Sequence, residues 1–307
     1  MAEDLAAEAL MGAVIEVREL RKLYGTTVAV DDVSFEVDEN EIFGIVGPNG
    51  AGKTTTVECL EGLRRPDAGR IRVLGLDPGA DARALRRLIG CQLQESALPD
   101  RMRVWEALDL FASLSPRGGD WRALTRQWGL RDKHKAPFGA LSGGQRQRLF
   151  VALALLNAPK VVFLDEMTTG LDPAGRRVAW DLVADIRRRG TTVVLVTHFM
   201  DEAERLCDRI AVLKGGRVVA VDSPDGLVSR FAPGVRVRFT ADHADVSWLS
   251  EVPHVHEVGR DGAQILVKGD GPVLALVAAA LVNHGLVPED LTAERADLEE
   301  TVLRLTE

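Results

Sequence analysis

A nine-residue stretch, GPNGAGKTT from Gly47 to Thr55, constrains the fold of this 307-residue chain more than any other feature. It directly follows the apolar run Ile42–Val46, which predicts a strand buried on both faces. Its spacing matches G-x-x-x-x-G-K-[ST], the loop that binds a nucleoside triphosphate between a strand and a helix. The glycines let backbone N–H groups face phosphate oxygens, and a helix beginning near Gly52 adds positive potential. A glycine-rich turn without a ligand is the alternative interpretation.

The members of this loop have separate predicted tasks. Lys53 brings a positive charge to the β- and γ-phosphates, Thr54 offers its hydroxyl to Mg²⁺, and Thr55 bonds the α-phosphate. The predicted nucleotide-binding residues of the loop are Gly47, Pro48, Asn49, Gly50, Ala51, Gly52, Lys53, Thr54 and Thr55.

A second apolar strand, Val161–Leu164, ends in two carboxylates, Asp165 and Glu166. We expect Asp165 to bind Mg²⁺ and Glu166 to face the water that attacks the γ-phosphate. Tandem acids that merely end a strand are the alternative, which the presence of a phosphate loop disfavours.

A third motif, Leu141-Ser142-Gly143-Gly144-Gln145, opens a predicted helix that runs to about residue 157. A serine N-cap, two glycines and a helix N-terminus together form a second anion site. Because this helix differs from the one behind the phosphate loop, the chain carries two incomplete phosphate sites. In a dimer, the third motif of each chain would complete the phosphate site of the other chain.

With these three motifs, residues 14–225 resemble the ATP-binding subunit of an ABC transporter. The resemblance implies ATP and Mg²⁺ as cofactors, with Lys53, Glu166 and His198 as catalytic residues. His198, in Val-Thr-His, matches the family's switch histidine. Asp172, in Gly-Leu-Asp-Pro, matches the D-loop, and Tyr24 matches the aromatic residue that stacks on adenine.

Two positions in the resemblance are less regular. Gln94 matches the Q-loop glutamine that links Mg²⁺ to the transmembrane partner, while Gln92 is a rival that the spacing from Ile89-Gly90 disfavours. Met167 stands where the family usually has proline after the catalytic glutamate, so the turn toward the D-loop is expected to differ in shape without loss of activity.

The order of strands and helices predicts an α/β fold. It would be a P-loop NTPase core with a mostly parallel sheet, an antiparallel β subdomain and a helical insert at about 98–158. The pattern resets after residue 224, where alternating strands and an apolar helix predict a small C-terminal α+β domain. The predicted limits are an N-terminal extension at 1–13, an ATPase domain at 14–226 and an accessory domain at 232–307.

Composition excludes several kinds of partner. No apolar run reaches the roughly 18 residues needed to span a bilayer, and the acidic N-terminus is unlike a signal peptide. Residues 241–307 carry 13 acidic and 4 basic side chains, and the rest of the chain is nearly balanced. We therefore expect no nucleic-acid partner, a cytoplasmic location, and membrane contact only through another protein.

The predicted function is that of an ATP-hydrolysing energy subunit of an exporter. The stretch THFMDEAE at 197–204 and the C-terminal domain are similar to the daunorubicin-resistance type of exporter ATPase. Its partners would be a second copy and a separate transmembrane permease, which would hold it at the cytoplasmic face of the membrane. An importer subunit and a soluble ABC ATPase without a transport role are the alternatives. The permease is expected to dock near residues 94–100 and the helical insert.

The C-terminal domain is expected to serve assembly or regulation, because every motif ends by His198. Its last helix, about Leu298–Leu305, needs an apolar surface to cover it. That surface could belong to the same domain, to the ATPase body or to the second subunit, and the second subunit is favoured.

Overall fold

The computed structural model describes residues 12–92, 97–115, 119–232, 234–242 and 244–307. These residues form an N-terminal unit that ends at Pro224 and a second unit from Asp225 to Leu305. The functional limits 14–226 and 232–307 remain predictions, and most of the predicted extension at 1–13 lies outside the described residues.

The strands, in chain order, are β1 (Ile15–Tyr24), β2 (Thr27–Val37), β3 (Ile42–Val46), β4 (Ala68–Val73), β5 (Ile89–Gln92), β6 (Val161–Asp165), β7 (Thr192–Val196), β8 (Arg209–Lys214), β9 (Arg217–Asp222), β10 (Val235–Thr240), β11 (Val255–Asp261), β12 (Gln264–Gly269) and β13 (Thr292–Arg295). The helices are α1 (Lys53–Leu60), α2 (Ala82–Leu85), α3 (Val104–Leu114), α4 (Trp121–Gln127), α5 (Gly143–Leu155), α6 (Pro173–Arg188), α7 (Met200–Leu206), α8 (Pro224–Phe231), α9 (Val273–Asn283) and α10 (Leu298–Thr306).

A six-stranded sheet with the order β5-β6-β7-β3-β8-β9 carries the N-terminal unit. Its strands are parallel except for β9, which pairs antiparallel with β8. Every residue of β3, β6 and β7 is buried, as their continuous apolar runs predicted. The register places Ile45 of β3 and Asp165 of β6 beside Val196 of β7. The carboxyl ends of these three strands therefore lie together at one edge of the sheet.

An antiparallel sheet of β2, β1 and β4 packs against this core. Phe35 of β2 stacks on Phe43 of β3 with ring centroids 5.2 Å apart. Both residues belong to one buried apolar cluster that joins the two sheets. The predicted α/β class, with a mostly parallel sheet and an antiparallel β subdomain, is confirmed.

The helical insert contains α3, α4 and α5. Trp128 and Leu130, directly after α4, are buried and give the insert its own packing centre. Ser142 is the N-cap of α5, as the sequence predicted, although α5 ends two residues before the predicted end.

Five elements were not predicted from the sequence: β5, β9, β13, α2 and α8. Strands β5 and β13 have only four residues each, too few for a hydrophobic period to stand out. Helix α8 begins at Pro224, which we interpreted as a break between domains. Proline is in fact favoured in the first turn of a helix, where its missing N–H has no intrahelical partner.

The second unit is an antiparallel sheet with the order β11-β12-β10-β13, covered by apolar residues of α9. Its core includes Val237, Phe239 and Ile265. Leu298 and Val302 of α10 are already buried in the single chain. The favoured idea that the second subunit covers this face is therefore wrong. Among the described residues, none of the helices combines the length and apolar character that a bilayer-spanning segment requires.

Candidate active site

The phosphate loop connects β3 to α1 at the carboxyl edge of the sheet. Gly47 and Gly52 have positive φ angles of 146° and 98°. A Cβ atom would lie 2.2 Å from the Leu213 carbonyl oxygen at Gly47, and 2.5 Å from that of Ala29 at Gly52. Both glycines are therefore required by packing as well as by the phosphates, a constraint that the motif alone did not reveal. The tip of the loop is exposed and consists of Pro48, Asn49 and Gly50, whereas Ala51 is buried and Thr55 is half-buried.

Lys53 is folded back into this loop. Its Nζ donates to the carbonyl oxygens of Gly47 at 2.8 Å and Pro48 at 3.0 Å, and the residue is 6% exposed. Burial lowers the pKa of Lys53, and the charges of Glu166 and Asp165 oppose that shift. The ammonium group thus bonds to backbone acceptors within electrostatic reach of two carboxylates, and it can compensate an anionic phosphate there.

Asp165, the last residue of β6, is 5% exposed. Burial raises the pKa of Asp165 to about 6, the charge of Glu166 adds to the shift, and Thr54 and Lys53 oppose it. Its buried Oδ1 has no hydrogen-bond partner among the described residues. An unsatisfied carboxylate oxygen beside a threonine hydroxyl fits a hard divalent cation such as Mg²⁺, which prefers oxygen ligands.

Glu166 and His198 form a pair at the ends of neighbouring strands. Nδ1 of His198 lies 3.1 Å from a carboxylate oxygen of Glu166. The amide N–H of Glu166 donates to the Val196 carbonyl at 2.9 Å, which anchors the residue to β7. Glu166 has a φ of 50°, a left-handed conformation that is uncommon outside glycine and concentrates at functional sites. The backbone of Glu166 is therefore fixed by β7, and its carboxylate contacts the histidine.

Tyr24 ends β1 and is 42% exposed. Lys22 Nζ and Arg64 Cζ lie 5.7 Å and 5.8 Å from the centroid of its ring. An exposed ring between two cations offers a flat apolar face next to positive charge, which suits a nucleobase attached to phosphates.

The predicted signature residues lie at the start of α5. Ser142 and Gln145 form a capping box: Ser142 Oγ accepts from the Gln145 amide at 3.3 Å, and Gln145 Oε1 accepts from the Ser142 amide at 3.0 Å. Leu141 is buried and anchors the turn, while Ser142 and Gly143 are exposed. The two exposed residues are available to a ligand, and none of the hydrogen bonds of 141–145 within the described chain reaches the phosphate loop.

The D-loop lies beside this signature turn. A Cβ atom at Gly144 would lie 3.1 Å from a methyl carbon of Leu171, so the two segments are in van der Waals contact. Asp172 caps α6 by accepting from the Gly175 amide at 2.7 Å and is exposed. The structure therefore brings the signature and the D-loop together on one side of the chain.

The remaining predicted positions are Gln94 and Met167. Gln94 lies outside the described residues, while its rival Gln92 is the last residue of β5 and is 3% exposed. Met167 is 1% exposed, so it fills a buried position in the turn after Glu166. Which of the two glutamines acts as the Q-loop residue stays a prediction.

A buried carboxylate behind the phosphate loop was missed in the sequence. Glu61 caps the end of α1 and is 3% exposed. Burial raises the pKa of Glu61 to about 8; hydrogen bonding with Cys91 opposes the shift, and the charge of Asp165 adds to it. An acid followed by Gly62 is typical of a solvated helix end, so no sequence signal marked this position.

Comparisons with known proteins identify the family. The family model described as "ABC transporter" matches residues 30–169. The chain is 35% identical over 303 residues to the Nod factor export ATP-binding protein I of Ralstonia nicotianae, covering 95% of this chain and 94% of that protein. It is 37% identical over 303 residues to a daunorubicin resistance ATP-binding protein of Streptomyces coeruleorubidus, covering 95% of each. The chain belongs to the ATP-binding subunits of ABC transporters.

Solved structures agree with this assignment to the ABC ATPases. An ATP-binding subunit of an ABC transporter aligns with a TM-score of 0.64 at 28% identity, covering 71% of this chain and 93% of that one. A dimeric bacterial ABC transporter cassette aligns with a TM-score of 0.62 at 26% identity, covering 68% and 98%. The predicted family and its ATP-hydrolysing activity are therefore confirmed for this ABC ATPase.

Proposed function

We propose that this ABC ATPase supplies energy to an exporter, with two copies enclosing two ATP molecules. The observation that carries the proposal is that two motifs suited to phosphate lie at the starts of different helices of one chain, α1 and α5. Lys53, Asp165, Glu166 and His198 share one edge of the sheet, while the exposed turn at Ser142 lies at the start of α5. A relative of known structure is a dimeric cassette, which supports completion of each site by a second copy.

The roles of the residues follow from their chemistry. Glu166 accepts a proton from the attacking water as general base, and His198, which contacts that carboxylate, stabilises the γ-phosphate. Lys53 neutralises charge that develops on the phosphates, which is most of what phosphoryl transfer requires of a protein. Tyr24 stacks on the adenine, and Ser142 and Gly144 approach the γ-phosphate held by the other copy.

Thr54 and Asp165 would hold Mg²⁺, joined by Gln94 in the sequence-based prediction. Bound there, Mg²⁺ would supply positive charge that stabilises the negative charge of the phosphates. The buried, unpaired Oδ1 of Asp165 is the structural feature that supports this assignment.

Export is favoured because the relatives that match nearly the whole chain have names that describe export or drug resistance. These names count against both an importer subunit and a soluble ATPase without a transport role. The cargo expected from the family resemblance is a drug, antibiotic, lipid or similar molecule, and the drug-resistance name of one relative supports a drug.

A groove of about 740 Å³ supports docking of a permease. It lies between β5 and the helical insert and includes residues 97 and 98 of the predicted docking region. Phe111 and Leu114 line it and are 41% and 74% exposed. Three arginines form another part of the wall: Arg83, Arg86 and Arg87. We propose that an amphipathic cytoplasmic segment of the permease, apolar on one face and acidic beside it, binds here and places the subunit at the inner face of the membrane.

Glu166→Gln tests the ATPase assignment. We expect it to bind ATP normally, to hydrolyse it about 10²–10⁴-fold more slowly, and to accumulate as an ATP-bound dimer on size exclusion. Glu204→Gln, an exposed carboxylate on α7, is the control and should hydrolyse ATP at the wild-type rate. A Glu166→Gln protein with wild-type turnover would contradict the proposed role.

Purification from membranes tests the transport assignment. The tagged full chain should be recovered with a polytopic membrane protein, and Leu114→Asp should release it by placing a charge in the groove. Recovery of the wild-type chain only as a free homodimer would overturn the permease proposal while leaving the ATPase assignment intact.

A further inference from the structure

Glu202 is a fully buried carboxylate without a role in the chemistry described above. It lies on α7, four residues after His198, and is 0% exposed. Burial raises the pKa of Glu202, while the nearby Thr197, Thr168 and Trp180 side chains and the charge of Arg176 oppose the shift. Glu202 Oε2 and the Thr168 hydroxyl have no hydrogen-bond partner among the described residues, so the threonines lie near the carboxylate, whereas Trp180 forms a hydrogen bond with it. A buried carboxylate costs free energy that an apolar side chain would not, so its neighbours indicate why it is present.

The neighbours of Glu202 come from three segments that lead to the active site. Trp180 of α6 donates from Nε1 to Glu202 Oε1 at 3.1 Å. Thr197 immediately precedes His198, and its hydroxyl accepts from the Phe199 amide at 3.0 Å. Thr168 lies two residues after Glu166, and both threonines are 0% exposed.

A second set of contacts ties the same segments together. Arg176, one turn before Trp180 on α6, places its guanidinium carbon 4.0 Å from the centroid of the Phe199 ring. Its Nη1 donates to Asp201 at 3.3 Å. The face of α6 formed by Arg176 and Trp180 therefore contacts the segment 199–202 at both ends, directly beside His198.

We propose that Glu202 is a positioning residue that holds the turn after Glu166, the segment around His198 and helix α6 in one arrangement. The Glu166–His198 contact of 3.1 Å depends on the relative placement of the first two segments. Because Asp172 of the D-loop caps α6, the Glu202 carboxylate also links the D-loop helix to the catalytic pair. This inference rests on the proposed roles of Glu166 and His198.

Kinetics of Glu202→Met test the proposal. Methionine keeps the volume and suits a helix but accepts no hydrogen bond of comparable strength. We expect kcat for ATP hydrolysis to fall roughly 10- to 100-fold, the effect of a small misplacement of catalytic groups. KM for ATP should stay within about threefold, because the phosphate loop and Tyr24 are untouched. Glu204→Met, exposed on the same helix, is the matched control and should keep the wild-type kcat.

Two further variants separate positioning from simple loss of stability. Glu202→Gln retains an acceptor for Trp180 and should restore most of the lost kcat. Trp180→Phe removes the donor and should lower kcat in the same direction, and the Glu202→Met/Trp180→Phe double variant should lose less than the product of the two single effects. These variants test the proposal even if Glu202→Met fails to fold.

A wild-type kcat in folded Glu202→Met would overturn the proposal. So would a loss of kcat that Glu202→Gln does not restore, or strict multiplication of the two single effects in the double variant. Glu166→Gln is measured alongside. If it hydrolyses ATP at the wild-type rate, the assignment of the catalytic pair fails, and that result is distinct from a failure at Glu202.

Discussion

At the scale of single residues, Glu61 shows how the nucleotide site affects the stability of the protein. Its Oε2 is buried without a hydrogen-bond partner among the described residues. The carboxyl lies within electrostatic reach of Asp165, which must itself be ionised to bind a cation. Burial disfavours the charged form of Glu61, and the negative charge of Asp165 disfavours it further. Glu61 therefore stays protonated at pH values where an exposed glutamate would be charged.

The free energy of unfolding should therefore depend on pH through Glu61. Folding raises its pKa from 4.5 to about 8. Between these values the native protein holds a proton that the unfolded chain releases, so this contribution to stability falls as pH rises from about 4.5 to about 8. Glu61→Gln removes the dependence. Relative to wild type, the variant should gain about 2–4 kcal/mol between pH 5 and pH 9.

Urea unfolding of the nucleotide-free protein across this pH range measures the difference. Glu39→Gln, an exposed acid, serves as the control and should follow the wild-type curve. Parallel curves for wild type and Glu61→Gln would show that this carboxyl does not titrate in the predicted window.

At the scale of elements, the N-terminus of α5 decides whether two chains share a site. Ser142→Arg places a bulky cation where the γ-phosphate of the other chain is proposed to lie. ATP binding to the monomer should survive, while dimerisation and turnover fail. Ser142→Ala is the comparison, because it removes the helix cap, at about 1 kcal/mol, and the hydroxyl proposed to approach the phosphate, but adds neither charge nor bulk. It should dimerise more readily than Ser142→Arg.

Mixing two inactive variants tests the shared site directly. A heterodimer of Ser142→Arg and Lys53→Ala chains contains one composite site with an intact phosphate loop and an intact signature. The mixture should therefore hydrolyse ATP, although neither variant does so alone. A mixture that remains inactive, or loss of ATP affinity in monomeric Ser142→Arg, would argue against a site built from two chains.

The elements also show what the sequence could predict. Strands β3, β6 and β7 were predictable because strands buried on both faces are continuous apolar runs, and each leads into a motif. The cap at Ser142 was predictable because it is a local interaction. Three features were not predictable: the lack of space for a side chain at Gly47, the left-handed backbone of Glu166 and the burial of Glu202. Each depends on atoms far away in the sequence, such as the Leu213 carbonyl oxygen or the Trp180 ring.

At the scale of the whole molecule, the second unit is expected to serve assembly or coupling and not chemistry. Every residue proposed to contact ATP or Mg²⁺ lies before Pro224. Residues 241–307 have a net charge of −9, which would repel ATP and anionic lipid. Four large apolar side chains of this unit are at least 39% exposed and offer a surface to a protein partner: Leu274, Val282, Val287 and Leu303.

A chain that stops after Ser223 tests this division, because it ends at the last residue before α8. We expect it to bind Mg²⁺-ATP within about threefold of the full chain, since its phosphate loop and both N-terminal sheets are complete. The Kd of its dimer should rise at least tenfold, which corresponds to about 1.4 kcal/mol of association free energy, or its coupling to the permease should be lost.

Nucleotide titration, sedimentation and transport measured on the same preparations separate these effects. Residues 225–307, expressed alone and added back, control for loss of folding. A well-folded truncated chain that has lost its ATP affinity but still dimerises would show that the second unit belongs to the nucleotide site.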